Sequence, residues 1–323
     1  MKCINKYITR ICLVLGVGIC LFGCGRNKDI VAEYEMTNYN ISLYEGNLFS
    51  EDLCVSTDDV SIDGFEEDSS LYASALFDVS DEKVVFADNI HERVYPASTT
   101  KILTALVTIE NCSMDEIVTI SNAAAAASFA ADEQVCGLQE GDQITVEALL
   151  NGLLLHSGND NAVAIAEYVG GDIEGFARLM NAKAKELMAT NTHFVTPNGL
   201  HDDDHYTTAY DLYLIFNECI KHEEFVNIIS ASSYTADIIG ADGSVRQLIW
   251  EPTSYYARGA AELPEGATVI GGKTGYTGEA GNCLVLLDED SDGKQYISIV
   301  MGAEDKPLLY EDMTEIIDQI PNI

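Results

Sequence analysis

The sequence is poor in basic residues: 17 Lys and Arg stand against 53 Asp and Glu, which gives a formal net charge of −36. A surface that binds nucleic acid neutralises phosphates with clustered Lys and Arg, and this chain has too few of them. Nucleic acid is therefore excluded as a predicted partner. The 323 residues, 47% of them hydrophobic, suffice for one large globular domain with a sizeable core.

The cysteines lack the spacing of a metal site. Five lie beyond the N-terminal segment, widely separated and without a CxxC pair, which excludes the usual zinc-binding patterns. Because their number is odd and their pairing cannot be deduced, we expect buried, unpaired thiols, although an oxidising exterior also permits a disulfide. No metal and no cofactor are predicted. The five are Cys54, Cys112, Cys136, Cys219 and Cys283.

The apolar run at residues 11–22 is shorter than the roughly 20 residues that a membrane-spanning helix needs. Three basic residues precede it, as in a targeting segment. Residues 21–24, Leu-Phe-Gly-Cys, resemble the lipobox of bacterial lipoproteins, so residues 1–23 are predicted to be a signal peptide and Cys24 to be lipidated. Phe22 is bulkier than usual there, which leaves an ordinary signal peptide or an uncleaved anchor as alternatives.

Composition divides the rest of the chain into a tether and a domain. Residues 24–70 are polar and acidic and predict a tether, and residues 71–323 predict one folded domain. Helical periodicity dominates about 120–220, and strand patterns lie on both sides of it. This order predicts an α/β (α+β) fold, with one antiparallel sheet built from both chain ends, flanking helices and an inserted all-α lobe. Predicted strands are 71–79, 84–87, 282–287 and 295–301; predicted helices are 98–110, 146–155, 161–169, 173–188, 208–220 and 308–320.

The pattern S-x-x-K occurs three times, at 80–83, 98–101 and 291–294. Only the second begins a helical pattern, and the other two lie in polar turns. Residues three apart share one side of a helix, so Lys101 can reach the Ser98 hydroxyl. A lysine whose pKa is lowered by burial or by a nearby cation can take the proton of a serine. Ser98 is therefore the predicted nucleophile and Lys101 its base.

Two further short motifs are ambiguous when each is taken alone. Residues 157–159, Ser-Gly-Asn, follow an apolar run and also fit a helix-capping turn. Residues 273–275, Lys-Thr-Gly, follow two glycines and also fit a glycine-rich hairpin. In a binding site, such glycines let a peptide approach a strand closely, and Lys273 and Thr274 offer a cation and a hydroxyl to a carboxylate.

Together and in this order, S-x-x-K, S-x-N and K-T-G are the signature of penicillin-binding proteins and class A β-lactamases. Over about residues 70–320 the chain resembles serine-type D-alanyl-D-alanine carboxypeptidases, the low-molecular-weight penicillin-binding proteins of peptidase family S11. The resemblance implies a β-lactamase/transpeptidase-like fold and hydrolysis of the terminal D-Ala of peptidoglycan stem peptides through an acyl-enzyme. It also implies acylation by β-lactam antibiotics. The resembling stretches are 95–101, 153–160, 194–200, 205–212 and 271–276.

The resemblance also implies a role for each site residue. Ser98 attacks, Lys101 takes its proton, and Ser157 relays a proton to the leaving amine. The oxyanion is expected between the backbone N–H groups of Ser98 and Tyr276. The implied substrate-binding residues are Asn159, Lys273, Thr274, Gly275 and Tyr276.

The chain departs from the family pattern in two ways. Members commonly carry an Arg downstream of K-T-G that binds the substrate carboxylate, whereas no Arg follows Arg258 here. We expect Lys306, or Lys273 with Thr274 alone, to replace it. Many relatives also add a C-terminal β domain and an amphipathic membrane helix. This chain is expected to have no such β domain and to be held at the extracytoplasmic face of the bacterial membrane by its N-terminal lipid.

Two other functions remain open. A β-lactamase needs a carboxylate to activate the deacylating water, and no E-x-x-L-N motif lies between Ser157 and Lys273. The S-G-N form also favours the carboxypeptidase. The second alternative is a catalytically silent wall-binding lipoprotein of the same fold, which would have no use for a nucleophile together with its base.

Overall fold

The computed structural model describes residues 52–65 and 70–322, with the side chain of residue 322 excepted. The predicted signal peptide at 1–23, the predicted lipidation site Cys24 and most of the predicted tether lie outside the described residues. Within the described residues, no helix is both long enough and apolar enough to cross a membrane.

The main sheet joins the two ends of the domain, as predicted. Its five strands are β1 (Ala73–Asp78), β2 (Lys83–Asp88), β7 (Thr268–Thr277), β8 (Gly281–Glu289) and β9 (Gln295–Ala303). They pair antiparallel in the order β2-β1-β9-β8-β7, so β7 forms an edge. This arrangement confirms the predicted fold class.

Helices and a second, smaller sheet fill the middle of the chain, so the prediction of an all-α inserted lobe was wrong in this respect. Among the described residues, the strands of the smaller sheet are β3 (Ile117–Thr119), β4 (Gln143–Thr145), β5 (Tyr234–Ile239) and β6 (Val245–Trp250). They pair in the order β3-β4-β5-β6, and β5 and β6 form a hairpin. The helices described in the middle of the chain are α1 (Lys101–Asn111), α2 (Val146–Leu154), α3 (Asn159–Gly170), α4 (Ile173–Glu186), α5 (Ala209–Cys219) and α6 (Glu223–Ile229).

Both faces of the main sheet are covered, which explains why β8 and β9 read as almost unbroken apolar runs. Along β8, Cys283 and Val285 enter the core shared with the helices, whereas Leu284 and Leu286 enter a second core on the opposite face. The closing helix α7 (Lys306–Ile317) covers that second face. Alternate side chains of one strand thus bind the sheet to two separate layers.

The folded unit begins earlier than predicted, at Asp52 instead of residue 71. The Cys54 side chain is fully buried, and its N–H donates to the Tyr213 hydroxyl at 2.8 Å. Val60 exchanges two backbone hydrogen bonds with Ala87 on β2. The segment 52–65 is therefore part of the domain, because a few buried contacts anchor an otherwise polar stretch.

The five cysteines of the domain are free thiols, as predicted. Four are buried, and Cys112 is partly exposed. Burial raises the pKa of Cys54 to about 11 and that of Cys283 to about 12, so these thiols stay protonated and unreactive.

Candidate active site

The candidate nucleophile lies on a tight turn, not inside the α-helix that was predicted to contain it. Residues Ala97–Thr100 form a 3-10 turn that leads directly into α1. Ala97 has φ of 48°, a left-handed conformation that is uncommon outside glycine and concentrates at functional sites. The spacing argument still holds, because residues three apart are also aligned in a 3-10 turn.

Lys101 is fully buried at the start of α1, and its side-chain nitrogen Nζ contacts three oxygen atoms. The distances are 2.8 Å to Ser98 Oγ, 2.9 Å to Asn159 Oδ1 and 2.7 Å to the backbone oxygen of Asn198. The structure thus brings the predicted nucleophile, its base and the asparagine of the second motif into direct contact.

The electrostatic surroundings favour a neutral Lys101. Burial lowers its pKa well below the usual lysine range, and the nearby positive charge of Lys273 lowers it further. The opposing effects come from the Cys136 thiol and from the carboxylates of Asp160 and Glu133. A lysine in this setting is able to act as a base near neutral pH.

A second serine and lysine pair lies beside the first. Lys273 is buried on β7, and its Nζ donates to Ser157 Oγ at 2.9 Å and to the backbone oxygen of Thr274 at 2.8 Å. Burial lowers the pKa of Lys273 to about 7. Ser157 has φ of 64°, so the second motif also carries a left-handed residue at its functional position. The site therefore holds two hydroxyls, each in contact with a lysine.

The edge strand β7 forms one wall of the site. A Cβ atom at Gly275 would lie 3.0 Å from the Pro96 oxygen and 3.1 Å from the Ser98 nitrogen, so a side chain here would press the strand and the nucleophile turn apart by a few tenths of an ångström. The Thr274 hydroxyl is 2.6 Å from the Thr253 hydroxyl. The Tyr276 side chain is 62% exposed at the rim.

These residues open onto a cleft of about 440 Å³. Lys306, at the start of α7, lines the same cleft, and its Nζ lies 5.1 Å from the centre of the Tyr255 ring. The predicted site residues that line it are Ser98, Ser157, Asn159, Thr274, Gly275 and Tyr276. Lys101 and Lys273 contact them from the buried side.

The loop between β3 and β4, residues 120–142, is fastened to the second motif at 157–159. The Asp160 carboxylate accepts backbone N–H bonds from Cys136, Gly137 and Leu138, and from Asn161 on its own helix. The Asn159 backbone N–H donates to the Gln134 oxygen at 2.8 Å. The loop is therefore held at the mouth of the cleft.

One cluster of possible metal ligands lies elsewhere on the helices. Glu110, Glu218 and His222 place their ligand atoms within 4.8 Å of one another. However, Glu110 pairs with Lys183 at 2.7 Å, and Glu218 pairs with Lys221 at 2.9 Å. Both carboxylates are therefore already neutralised by lysines. None of the three possible ligand residues lines the cleft described above.

Comparison with known proteins agrees with this constellation. A family model described as D-alanyl-D-alanine carboxypeptidase, Peptidase S11, matches residues 66–305. The chain belongs to this family. The carboxypeptidase DacF of Bacillus subtilis is 32% identical over 252 residues, which are 76% of this chain and 61% of DacF. The carboxypeptidase of Streptomyces sp. K15 is 34% identical over 230 residues, 68% of this chain and 77% of that protein.

Solved structures of DD-peptidases and penicillin-binding proteins share the fold of this chain. The Streptomyces K15 DD-transpeptidase has a TM-score of 0.73 and 29% identity, and the match covers 83% of this chain and all of that one. Penicillin-binding protein 5 from Haemophilus influenzae has a TM-score of 0.70 and 26% identity, over 80% of this chain and 72% of that one. The chain spans about three-fifths of the length of the first curated relatives, 61% of DacF and 58% of a Salmonella DacD.

Several residues of this S11 site were not assigned a role from sequence. The Asn198 oxygen contacts Lys101, and Gly199 has φ of 81°, where a Cβ would lie 1.8 Å from the Ala97 oxygen. His205 is buried and 2.8 Å from the Thr100 hydroxyl, and burial lowers its pKa to about 4, so it stays neutral. Asn198 and Gly199 fall in the resembling stretch 194–200 and His205 in 205–212, which was the one available signal.

Proposed function

We propose that the chain is a serine-type D-alanyl-D-alanine carboxypeptidase that removes the terminal D-Ala of peptidoglycan stem peptides through an acyl-enzyme, and that β-lactam antibiotics acylate the same serine. The observation that carries the proposal is the 2.8 Å contact between Ser98 Oγ and the buried Lys101 Nζ. Membership of the S11 family supports the choice of substrate.

The contacts of Lys101 match those of a neutral amine acting as base. A neutral amine has two N–H bonds and one lone pair in tetrahedral arrangement. The carbonyl oxygens of Asn159 and Asn198 accept only hydrogen bonds, so they take the two N–H bonds. The lone pair then faces Ser98 Oγ and takes its proton as the oxygen attacks the substrate carbonyl.

The second pair handles the leaving group. When Ser98 Oγ bonds to the carbonyl carbon, the C–N bond to the terminal D-Ala breaks and its amine must gain a proton. We assign this delivery to Ser157, whose hydroxyl is polarised by Lys273 at 2.9 Å. Ser157 relays to the amine the proton that Lys101 took from Ser98, so that Lys101 is again a neutral base when water attacks the ester. The backbone N–H groups of Ser98 and Tyr276 are assigned to the oxyanion. Water then hydrolyses the ester, which restores Ser98.

The substrate is assigned to the free edge of β7. Its terminal carboxylate would meet the side-chain nitrogen of Lys273, the Thr274 hydroxyl and the exposed ammonium of Lys306. Thr274 and Lys306 line the cleft, and Lys273 contacts Ser157, which also lines it. Gly275 lets the strand lie close to the nucleophile turn, and we assign Asn159 to the substrate amide and the exposed Tyr276 to the outer side of the bound peptide.

The experiment that tests the function is labelling with a fluorescent penicillin. We expect the wild type to form a covalent adduct with slow turnover, and Ser98→Ala to form none, because the nucleophilic oxygen is missing. Ser80→Ala is the matched control, since Ser80 begins one of the other S-x-x-K patterns and should label normally. Rapid, continuous hydrolysis of penicillin by the wild type would instead indicate a β-lactamase.

We further propose that the protein is exported and held at the outer face of the bacterial cytoplasmic membrane by a lipid on Cys24. The basic and apolar N-terminal residues and the Leu-Phe-Gly-Cys sequence support this. A diacylglyceryl group carries the two chains that stable anchorage requires. Incorporation of labelled palmitate by the wild type and its loss in Cys24→Ala is the expected result; release of the wild type into the medium would contradict it.

A further inference from the structure

Glu133 lies at the mouth of the cleft, in the loop that Asp160 fastens to α3, and no function was assigned to it from sequence. Its Oε2 accepts a hydrogen bond from Asn159 Nδ2 at 3.3 Å, and its Oε1 accepts one from the Ala130 N–H at 3.2 Å. Both carboxylate oxygens are therefore engaged, one by its own loop and one by the second motif.

The Asn159 amide connects this carboxylate to the base. Its nitrogen donates to Glu133, and its oxygen accepts from Lys101 at 2.9 Å. In the flipped orientation, the amide N–H would face the N–H of Lys101, and the amide oxygen would face the carboxylate. Only the observed orientation satisfies both contacts, so the carboxylate selects the amide rotamer that presents an oxygen to Lys101.

The loop holds Glu133 in place before a substrate arrives. The Gln134 oxygen accepts the Asn159 backbone N–H, and three N–H groups at 136–138 bind the buried Asp160 carboxylate. A side chain supported in this way acts as a fixed part of the site. We propose that Glu133 is a positioning residue, which orients Asn159 toward Lys101 and whose negative charge moves the pH at which Lys101 becomes a base upward.

The charge of Glu133 acts on Lys101 together with several other groups. Lys273 on β7 opposes the Lys101 charge, whereas Asp160 on α3, the Cys136 thiol and Glu133 favour it. His205, which is hydrogen-bonded to Thr100 in the turn that carries Ser98, is neutral. Glu133 is the partly exposed member of the acidic pair, so its charge can be removed with less disturbance to the fold than that of Asp160.

The test rests on the proposed function and compares acylation rates by fluorescent penicillin over a range of pH. In Glu133→Gln the charge is lost, and the single amide oxygen can still accept from Asn159 if the Ala130 N–H bond is given up. We expect its maximal rate to stay near that of the wild type, and the rise of rate with pH to move to lower pH. In Glu133→Ala both effects are lost, so the same shift should accompany a fall in maximal rate of roughly 10-fold.

Glu140→Gln is the matched control, because Glu140 is exposed and bonds to Asn122 instead of Asn159. Its pH profile should coincide with that of the wild type. A wild-type midpoint in both Glu133 variants would overturn the charge effect, and a wild-type maximal rate in Glu133→Ala would overturn the positioning effect. Thermal unfolding of each variant checks that the fold is intact.

A second measurement separates this inference from the carboxypeptidase proposal. The ¹³Cε resonance of Lys101, assigned by its absence in Lys101→Arg, reports the titration of Lys101 without any reaction. A downward shift of that titration in Glu133→Gln supports the charge effect even if the wild type fails to bind penicillin, and an unchanged titration contradicts it even if labelling succeeds.

Discussion

The chain repeats one four-residue pattern in two contrasting settings. At 98–101 the serine and lysine lie in a buried turn between the main sheet and the helices, and their side chains touch. At 80–83 and 291–294 the same residue types lie in the exposed turns that join β1 to β2 and β8 to β9. Sequence pattern alone is therefore insufficient for the chemistry.

The difference lies in what surrounds each lysine. The two exposed turns meet, and there Lys294 forms an ion pair with Asp81, which raises the lysine pKa. The Lys294 side chain is 43% exposed, whereas Lys101 is fully buried and has its pKa lowered. A carboxylate partner and water keep one lysine charged, whereas burial and a neighbouring cation favour the neutral base in the other.

The largest expected effect comes from replacing each lysine by methionine, which keeps most of the unbranched side chain and removes its nitrogen. We expect Lys101→Met to lower the rate of penicillin acylation about 1,000-fold or more, because Ser98 loses its base. Lys294→Met should keep the rate within about twofold, since its pairing is on the surface. Acylation kinetics measure both, and an equally large loss in Lys294→Met would break the comparison.

The comparison also explains what could be predicted from the sequence. The main sheet was predictable because long apolar or alternating runs lie near the two ends of the chain. The site was predictable because three motifs occur in an order that is typical of one family. Ser98 was selected from three candidates because an apolar helical pattern follows it. Burial, which decides the lysine chemistry, was inferred from that same pattern.

The features that were missed depend on contacts distant in sequence. The β5–β6 hairpin escaped prediction because its outer face carries exposed Ile239, Val245 and Ile249, which obscures the usual alternation of polar and apolar residues. The start of the domain was missed because Cys54 is anchored by Tyr213, 159 positions away. Glu133 belongs to no motif, and only the fold brings it to Asn159.

Burial favours the uncharged form of a carboxylate as it does that of a lysine. It therefore raises the pKa of a carboxylate, whereas it lowers that of a lysine. Asp288 on β8 is fully buried; its Oδ2 accepts from the Ser298 hydroxyl, and its Oδ1 has no hydrogen-bond partner among the described residues. Burial raises its pKa to about 7. Protonated Asp288 thus stabilises the fold fully below the ordinary aspartate pKa, and this stabilisation is lost as pH rises through about 7.

We expect the free energy of unfolding of the wild type to fall relative to that of Asp288→Asn, by on the order of 2 kcal/mol between pH 5 and pH 8. Urea denaturation at the two pH values measures the difference, and groups common to both proteins, such as His205, cancel. Glu289→Gln, which changes the adjacent carboxylate, should follow the wild type. Parallel pH profiles for wild type and Asp288→Asn would show that burial of Asp288 carries no such penalty.

Lys306 provides the smallest and most specific test, because it is an exposed lysine like Lys294 that nevertheless lines the cleft. We expect Lys306→Ala to raise KM about tenfold for a peptide with a free terminal carboxylate, since a charge-assisted bond is lost at a solvated site. The value of kcat should change less, because Lys306 contacts neither Ser98 nor Lys101. Steady-state kinetics on the D-Ala-D-Ala peptide measure both constants.

The matched controls make the role of Lys306 specific. A peptide with an amidated C-terminus should be processed equally by wild type and Lys306→Ala, and Lys294→Ala should behave as the wild type toward both peptides. Lys306→Arg should keep or lower KM, because a guanidinium can bind a carboxylate through two parallel hydrogen bonds. An unchanged KM in Lys306→Ala would leave carboxylate recognition to Lys273 and Thr274, and would show that an exposed lysine contributes little even inside the cleft.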